Sequence, residues 1–388
     1  MAKIKVANIV ETYHYGGPHK RIALVAERLK KYGVETVVIY PKKDFEEFYN
    51  ELNKRGIKSI RINLHKLSKD KSHFIKYILL FFFEVFSLYK IIKEEDFDII
   101  HCNGAWQFKG VIAGKLARKR VVWHLNDTKM PFVIKVIFKF FSNFFCDGFI
   151  VAGERVKKYY LEDLKIEKGK IIEIQAPVDT KFFNPEVVTP DPKLQEVKGL
   201  KIVTVANISP LKGLEYFIES AYLLNNMLDT PNNNLKFFIV GKVLDSQKRY
   251  FQKLLNLKKR TNLNNLYFYT NAQSVARVLK AADIYVCSSI AEASPMAVWE
   301  AMAMAKSIVS TDVGDVSKFI KNGLNGYIVE IKNSKALADK ISLLVKDKKL
   351  REKMGNINRE IAVKYLDVEI CVEKHKEFYK KILNIKNI

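Results

Sequence analysis

Apolar and polar positions alternate along the chain in two patterns. Short, continuous apolar runs are typical of parallel strands buried on both faces, and longer stretches with apolar residues at helical spacing lie between them. In the first half the short runs predict strands at 5–10, 35–40, 59–62, 96–101, 120–125, 148–153 and 170–175. The longer stretches predict helices at 18–32, 44–55, 73–94, 105–118, 131–145 and 154–163. This alternation indicates a doubly wound α/β domain.

A proline-rich segment, 177–192, interrupts the alternation. Proline disrupts helix interiors and central strands, so we interpret this segment as a linker between domains. Beyond it the runs predict strands at 201–207, 235–241, 266–270, 283–288, 306–311 and 326–330. Helices are predicted at 213–228, 246–261, 272–281, 295–304, 334–345 and 348–386.

The expected fold class is therefore α/β, with two Rossmann-like doubly wound domains that face each other across a ligand-binding cleft. We expect the first domain at 1–190 and the second at 191–369. A C-terminal helix at about 370–388 is expected to pack back on the first domain. The length of 388 residues fits this division, since domains average roughly 150 residues.

The charge of the chain narrows the classes of partner. Its 66 Lys and Arg outnumber 42 Asp and Glu, which gives a net charge of +24 at pH 7. A chain this basic attracts phosphorylated ligands, an anionic membrane surface or nucleic acid. The sequence contains no signature of the common nucleic-acid-binding folds, so we expect no nucleic acid partner. We expect a cytoplasmic protein, because the chain starts without the apolar segment of a secretory signal.

Two predicted helices combine many phenylalanines with lysines, at 74–92 and 129–146. Phe81, Phe82 and Phe83 together cover more of a helix's circumference than one core-facing stripe does. Helices of this kind can lie on an anionic membrane surface, which would make the protein peripheral on the cytoplasmic face of the membrane. The alternative interpretation is that the phenylalanines face the core and the lysines face solvent.

The segment 288–330 contains the most informative motif. Glu292 precedes a predicted helix and Glu300 lies in its second turn, with Ser294 and Pro295 suited to the N-cap and first helical position. A helix N-terminus at the carboxyl end of a strand can bind a phosphate, and two carboxylates can accept hydrogen bonds from sugar hydroxyls. Taken alone, the pair could also be two solvated surface charges.

Three further places could contribute to a site. Lys212 lies near the start of a helix after Asn207 ends a strand, and a lysine there can neutralise a phosphate or be an ordinary surface residue. Gly16 and Gly17 form a turn between the first strand and helix, without the dinucleotide pattern of three spaced glycines.

Two histidines end strands of the first domain, His124 and the weaker candidate His101. A lone histidine at such a position is more often structural than functional. The histidines lack an accompanying carboxylate cluster, and the four cysteines are far apart, so we expect no metal site.

Together these motifs resemble the family-4 retaining glycosyltransferases, which have the GT-B fold. The resemblance covers nearly the whole chain and is strongest from Glu292 to Gly326, where the pair of glutamates eight positions apart is followed by EAMA, STDVG and NGLNGYIV. It implies that Glu292 contacts the donor sugar and Glu300 the nucleotide ribose. It also implies a catalytic role for His124, Glu292 and Lys212.

By the same resemblance, the donor diphosphate is bound by backbone amides between the two glutamates and by the first-domain glycine turn. The implied donor-binding residues are Gly16, Gly17, Asn207, Lys212, Glu292, Ala293, Ser294, Pro295, Met296, Ala297 and Glu300. The sequence departs from the family at Ala206-Asn207, where Gly-Arg is usual. Asparagine can donate a hydrogen bond to a phosphate but does not neutralise its charge.

The function implied is retaining transfer of a sugar from a nucleotide sugar, UDP- or GDP-linked, to a glycan or lipid-linked acceptor in surface polysaccharide or glycoconjugate synthesis. No metal and no cofactor are expected, because Lys212 and helix N-termini can stabilise the leaving diphosphate. Two alternatives stay open: a sugar-nucleotide epimerase of the same fold, and a non-catalytic relative that binds glycans or nucleotides.

Overall fold

The computed structural model describes residues 3–12, 15–42, 46–67, 71–228 and 234–385. The chain divides into two compact units, Met1–Ala176 with Val368–Ile388, and Pro177–Asp367. The sequence placed the boundary at 190, whereas the chain passes into the second unit at Pro177. The segment after Pro177 packs on the second unit, since the Arg359 guanidinium donates hydrogen bonds to the carbonyls of Thr180 and Phe183 at 3.0 and 2.8 Å.

The first unit is built on a parallel sheet of seven strands in the order β3-β2-β1-β4-β5-β6-β7. The strands are β1 Ile4–Ile9, β2 Val34–Pro41, β3 Ser59–Ile62, β4 Ile99–Asn103, β5 Arg120–Leu125, β6 Gly148–Val151 and β7 Ile171–Glu173. The strand order reverses at β1, which lies between β2 and β4. In open parallel sheets the carboxyl ends of strands at such a reversal form the usual ligand site.

Seven helices flank this sheet in the described part of the first unit. They are α1 Gly17–Leu29, α2 Glu46–Lys54, α3 Lys71–Glu94, α4 Phe108–Leu116, α5 Phe132–Phe145, α6 Glu154–Leu161 and, from the end of the chain, Val368–Ile382. α1 packs against α2 and the C-terminal helix, and α4 packs against α3 and α5. Right-handed crossover connections place these two groups on opposite faces of the sheet.

The second unit repeats the architecture with six parallel strands in the order β10-β9-β8-β11-β12-β13. The strands are β8 Leu200–Val205, β9 Leu235–Val240, β10 Leu266–Tyr269, β11 Ile284–Cys287, β12 Ser307–Thr311 and β13 Gly326–Val329. Its helices are α7 Pro192–Glu196, α8 Leu214–Met227, α9 Lys248–Arg260, α10 Val275–Ala281, α11 Met296–Ala303, α12 Val316–Phe319, α13 Ser334–Lys346 and α14 Lys348–Ile361. The predicted doubly wound α/β fold class is confirmed. α7 and α12 were not predicted, and both are too short to show a helical period.

The long helix predicted at 348–386 is wrong, because the chain breaks it into two. α14 continues as a π-helical turn, Ala362–Leu366, and Asp367 is extended before α15, Val368–Ile382, begins. Asp367 is held out of the helix because its carboxylate accepts hydrogen bonds from both the amide and the hydroxyl of Thr180. α15 then belongs to the first unit.

Candidate functional site

The candidate site of the second unit lies where its strand order reverses. β8 and β11 are neighbouring parallel strands, so the loops that follow Val205 and Cys287 leave the same edge of the sheet. The first loop carries Lys212 and the second carries Glu292. Two charged residues that are 80 positions apart in sequence are thereby brought into contact.

Two hydrogen bonds to main-chain carbonyls connect the two loops. The Ile290 amide donates to the Leu211 carbonyl at 2.8 Å, and the Ser288 hydroxyl donates to the Lys212 carbonyl at 3.1 Å. Gly213 has a φ of +55° and comes so close to the Ser288 carbonyl that a Cβ would collide with it. Glycine is therefore required directly after Lys212.

The ammonium of Lys212 donates a hydrogen bond to Oε1 of Glu292, which also accepts one from the Ser289 hydroxyl at 3.1 Å. The two charged side chains are 28% and 17% exposed, so the pair is reachable from solvent but mostly enclosed. Burial acts to lower the pKa of Lys212, but the charge and hydrogen bond of Glu292 outweigh it, so that pKa is raised. Lys212 therefore stays cationic, and its two other N–H groups can point at a ligand.

Helix α11 begins beside this ion pair. Val298 and Trp299 donate the first helical hydrogen bonds to the Pro295 carbonyl, so Met296 and Ala297 provide first-turn amides. The expectation that Ser294 is the N-cap is wrong: Pro295 holds that position, and the Ser294 hydroxyl accepts a hydrogen bond from the Trp299 indole at 3.0 Å.

The loop before α11 is packed tightly against the segment after β12. Gly314 has a φ of +53°, and a Cβ at this position would lie 2.5 Å from the Ala293 carbonyl oxygen. The glycine of STDVG thus holds the backbone between the two glutamates. Glu300 lies half-buried in the second turn of α11.

Asn207 is exposed at the carboxyl end of β8. The next amide, that of Ile208, donates to the carbonyl of Lys242 at 3.0 Å. The main chain of Lys242 therefore runs beside Asn207 at the edge that carries Lys212. Sequence reasoning missed this lysine, although its place directly after the strand predicted at 235–241 is a usable signal.

In the first unit the two predicted histidines lie together in a buried cluster. His101 and His124 are 1% and 0% exposed, and His101 Nε2 is 3.1 Å from His124 Nδ1. The Arg21 guanidinium lies 2.9 Å from His124 Nδ1 and donates to Asn103 at 2.6 Å. His101 Nδ1 is 2.6 Å from the hydroxyl of Tyr379 on α15. A contact of either histidine with a sugar stays a prediction.

The third histidine of this cluster, His375, comes from α15 and stacks on His101 with ring centroids 6.1 Å apart. Burial lowers the pKa of His101 and His124 well below the ordinary value, and it lowers that of His375 to about 4. Burial also lowers the pKa of Arg21, to about 10. The cluster thus holds neutral imidazoles around one guanidinium. Its third imidazole, that of His375, comes from α15, at the end of the chain.

The predicted glycine turn leads into α1, which begins at Gly17. Gly16 is extended, and its amide donates to His19 Nδ1 at 3.2 Å. Just upstream, Glu11 is buried at the end of β1, 3.7 Å from the Lys109 ammonium. Burial raises the pKa of Glu11 to about 7 against the opposing charge of Lys109. Sequence reasoning missed this pair, because nothing in the local pattern marks Lys109 as buried.

Among the described residues, no group of three or more His, Cys, Asp or Glu residues is placed so that it could hold a metal ion. None of the helices in the described ranges is long and apolar enough to cross a membrane.

Comparisons with known proteins agree with this architecture. Residues 15–182 match the family model described as Glycosyltransferase Family 4, and residues 190–361 match that of Glycosyl transferases group 1. A Campylobacter jejuni N,N'-diacetylbacillosaminyl-diphospho-undecaprenol alpha-1,3-N-acetylgalactosaminyltransferase is 26% identical over 97% of this chain and 96% of its own. An Escherichia coli UDP-Gal:alpha-D-GlcNAc-diphosphoundecaprenol alpha-1,3-galactosyltransferase is 26% identical over 76% of this chain and 78% of its own.

Among solved structures, Anabaena HepE in complex with UDP and glucose superposes with a TM-score of 0.81 at 17% identity. The superposition covers 97% of this chain and 100% of that one. At this level of identity the likeness concerns the fold alone, and it places the two units in the same fold class as that structure.

Proposed function

Because the chain belongs to glycosyltransferase family 4, whose members have the GT-B fold, we propose that it transfers a hexose from a UDP-sugar to a glycan carried on a lipid diphosphate, with retention of configuration. The observation that carries the proposal is the Lys212–Glu292 pair at the strand-order reversal of the second unit. This is the position where an open parallel sheet ordinarily binds a nucleotide.

A UDP-linked donor is supported by two comparisons. The E. coli relative is named for UDP-Gal, and the Anabaena structure contains UDP and glucose. In this chain, the diphosphate would meet the Lys212 ammonium and the first-turn amides of α11, Met296 and Ala297. Asn207 and the neighbouring Lys242 would add a hydrogen bond and a second cation at the same edge.

The ion pair also suggests how donor binding and chemistry are linked. A phosphate that reaches Lys212 draws the ammonium from Glu292, whose oxygen can then accept a hydrogen bond from a sugar hydroxyl. Negative charge grows on the diphosphate as the glycosidic bond breaks, and a fixed ammonium stabilises that charge. Glu300, one turn further along α11, would take the ribose hydroxyls.

Retention would follow from attack on the face that the leaving group occupies. The acceptor hydroxyl forms the new bond to the anomeric carbon as the bond to the diphosphate breaks, and the departing phosphate oxygen takes the hydroxyl proton. This route uses charges already present at the site and needs neither a metal nor a cofactor.

A lipid-linked acceptor is supported by the names of both curated relatives, which specify glycosyl diphospho-undecaprenol substrates. Such an acceptor is held in a membrane, so we propose that the protein works as a peripheral enzyme at the cytoplasmic face. The net charge of +24 favours an anionic surface.

The test is a transfer assay with UDP-galactose, UDP-N-acetylgalactosamine, UDP-glucose, UDP-N-acetylglucosamine and GDP-mannose. The acceptor is a short-chain polyprenyl diphosphate that carries one N-acetylhexosamine, and mass spectrometry detects the product. We expect one UDP-sugar to be used and the product's anomeric proton to show the α-configuration of the donor. Conversion of the donor without acceptor product would support the epimerase, and binding without turnover would support the non-catalytic relative.

A further inference from the structure

Helix α3 has apolar residues on both its buried and its exposed side, with Val85, Leu88 and Ile92 facing the core. On the buried side, Glu84 has a side chain that is only 5% exposed. On the outer side, Leu79, Phe82 and Phe83 are 72%, 80% and 76% exposed. A surface helix of a soluble protein ordinarily has one apolar stripe, which faces the core, so the second, exposed stripe of α3 is unusual.

Contacts on the inner side fix the rotation of α3 about its axis. Glu84 accepts a hydrogen bond from the Lys109 ammonium at 2.5 Å, and its other oxygen lies 2.5 Å from His65 Nδ1. The Lys109 ammonium also lies 4.1 Å from the ring centre of Tyr77 on α3. Turning the helix to bury its exposed phenylalanines would take Glu84 away from the buried Lys109 ammonium and would expose Leu88 and Ile92, and both changes are costly. The fold therefore holds the apolar stripe outward.

Helix α5 presents a second stripe of the same kind. Its exposed apolar residues recur at helical spacing: Phe132, Val133, Val136, Ile137, Phe140 and Phe144. The helix contains no acidic residue. Its opposite side packs on the unit, with Phe138 buried and Phe141 in ring contact with Phe108 of α4 at 5.6 Å.

The two stripes lie on the same face of the first unit. α4 packs between α3 and α5, and all three helices follow right-handed crossovers onto one side of the sheet. We call the exposed apolar residues of α3 and α5 the α3–α5 face. Single exposed apolar residues are ordinary, but a continuous apolar area on two adjacent helices marks an interaction surface.

We propose that the α3–α5 face docks the protein on the anionic leaflet of a lipid bilayer, with the two helices lying along the interface. Exposed Lys76 and Lys90 accompany the stripe of α3. The Lys90 ammonium lies 4.8 Å from the ring centre of exposed Phe86, so a cation and an apolar group adjoin on this stripe, as in helices that lie on anionic membranes.

The positive charge of the chain favours a bilayer over a second copy of this chain as the partner of the α3–α5 face. A two-fold interface would bring the same lysines of both copies together on a chain whose net charge is already +24. An anionic leaflet instead complements them. The α3–α5 face would hold the enzyme at the membrane that contains its acceptor. This inference rests on the proposed function only in assuming that the acceptor lies in that bilayer.

The test is cosedimentation of the full chain with vesicles of phosphatidylglycerol and phosphatidylethanolamine in equal parts, and with vesicles of phosphatidylcholine. One variant combines Leu79→Gln, Phe82→Gln and Phe83→Gln. The matched control combines Val187→Gln, Leu343→Gln and Val363→Gln, which are exposed apolar residues of the second unit. All six side chains are exposed and none belongs to a buried core, so both variants should fold.

We expect wild type and control to bind the anionic vesicles. We expect the α3 variant to bind them at least about tenfold more weakly. Binding of the α3 variant equal to wild type would overturn the proposal, as would wild type that stays in the supernatant. Wild type that dimerises without lipid through these residues, with unchanged vesicle binding by the variant, would overturn it in favour of a second copy. Transfer to a water-soluble acceptor without vesicles reports separately on the proposed function, and the α3 variant should retain it.

Discussion

At the scale of single residues, Lys212 and Glu292 form the ion pair at the centre of the candidate site. Their loops are tied together by backbone contacts that do not involve the two charges. A ligand can therefore separate the two charges without disrupting the loops, because other hydrogen bonds connect the loops.

The first prediction is that removing either charge impairs transfer and leaves the fold intact. Lys212→Met should lower kcat/KM for transfer about a hundredfold, because a leaving diphosphate loses its fixed cation. Glu292→Gln should lower it comparably while the thermal midpoint changes little. Lys248→Met is the matched control. Lys248 belongs to the same unit and also forms an ion pair, with Asp245, but its side chain is 73% exposed. Turnover of Lys212→Met close to wild type would show that the cation has no such role.

A second prediction concerns Gly314, which holds the loop between the two glutamates. Gly314→Ala should destabilise the second unit by about 1–2 kcal/mol for the left-handed backbone alone. It should also weaken donor binding, because the new Cβ pushes on the Ala293 carbonyl. Gly323→Ala is the control: its φ is also positive, at +77°, but open space surrounds its Cβ. Equal donor affinity of the two variants in calorimetric titrations would contradict this role of Gly314.

At the scale of elements, α15 couples the end of the chain to the first sheet. His375 and Tyr379 from this helix complete the cluster around His101 and His124, which lie in β4 and β5. Because all three imidazoles are buried beside the Arg21 guanidinium, protonation of any of them adds like charge in a medium that solvates it poorly.

The third prediction is therefore a loss of α15 docking in acid. The pKa of His375 is depressed from its ordinary value near 6.5 to about 4, so its contribution to stability is present above pH 6.5 and is lost as pH falls toward 4. The loss amounts to about 3 kcal/mol for this residue. Hydrogen exchange of α15 amides, corrected for intrinsic rates, should lose protection between pH 7 and 5. His375→Asn should show a weaker pH dependence, and unchanged protection in wild type would count against the cluster's role.

At the scale of the whole molecule, the sequence predicts the sheet layout well and the side-chain partnerships poorly. Each predicted strand occurs within a few residues of its expected place, because buried parallel strands leave continuous apolar runs such as VVWHL. The sequence does not predict the interruption at Asp367, because the contacts that hold it out of the helix come from Val178 and Thr180, far away in sequence.

The site shows the same division. The pattern around Glu292 and Glu300 pointed to a phosphate-binding helix start, but the contact between Glu292 and Lys212 depends on β8 and β11 being neighbours. The pairing of strands far apart in sequence is not visible in either segment alone. Likewise, Lys109 and His375 are buried partners that only the assembled fold brings to Glu11 and His101.

The central claim is that the carboxyl edge of the second sheet binds the nucleotide of the donor through Lys212. It is tested most directly by calorimetric titration of UDP into wild type and into Lys212→Met, both checked for equal thermal midpoints. We predict that UDP binds wild type and that the variant binds it at least about tenfold more weakly, the loss of a charge-assisted hydrogen bond. Equal UDP affinity in the two proteins would contradict the claim, and so would a wild type that binds no UDP.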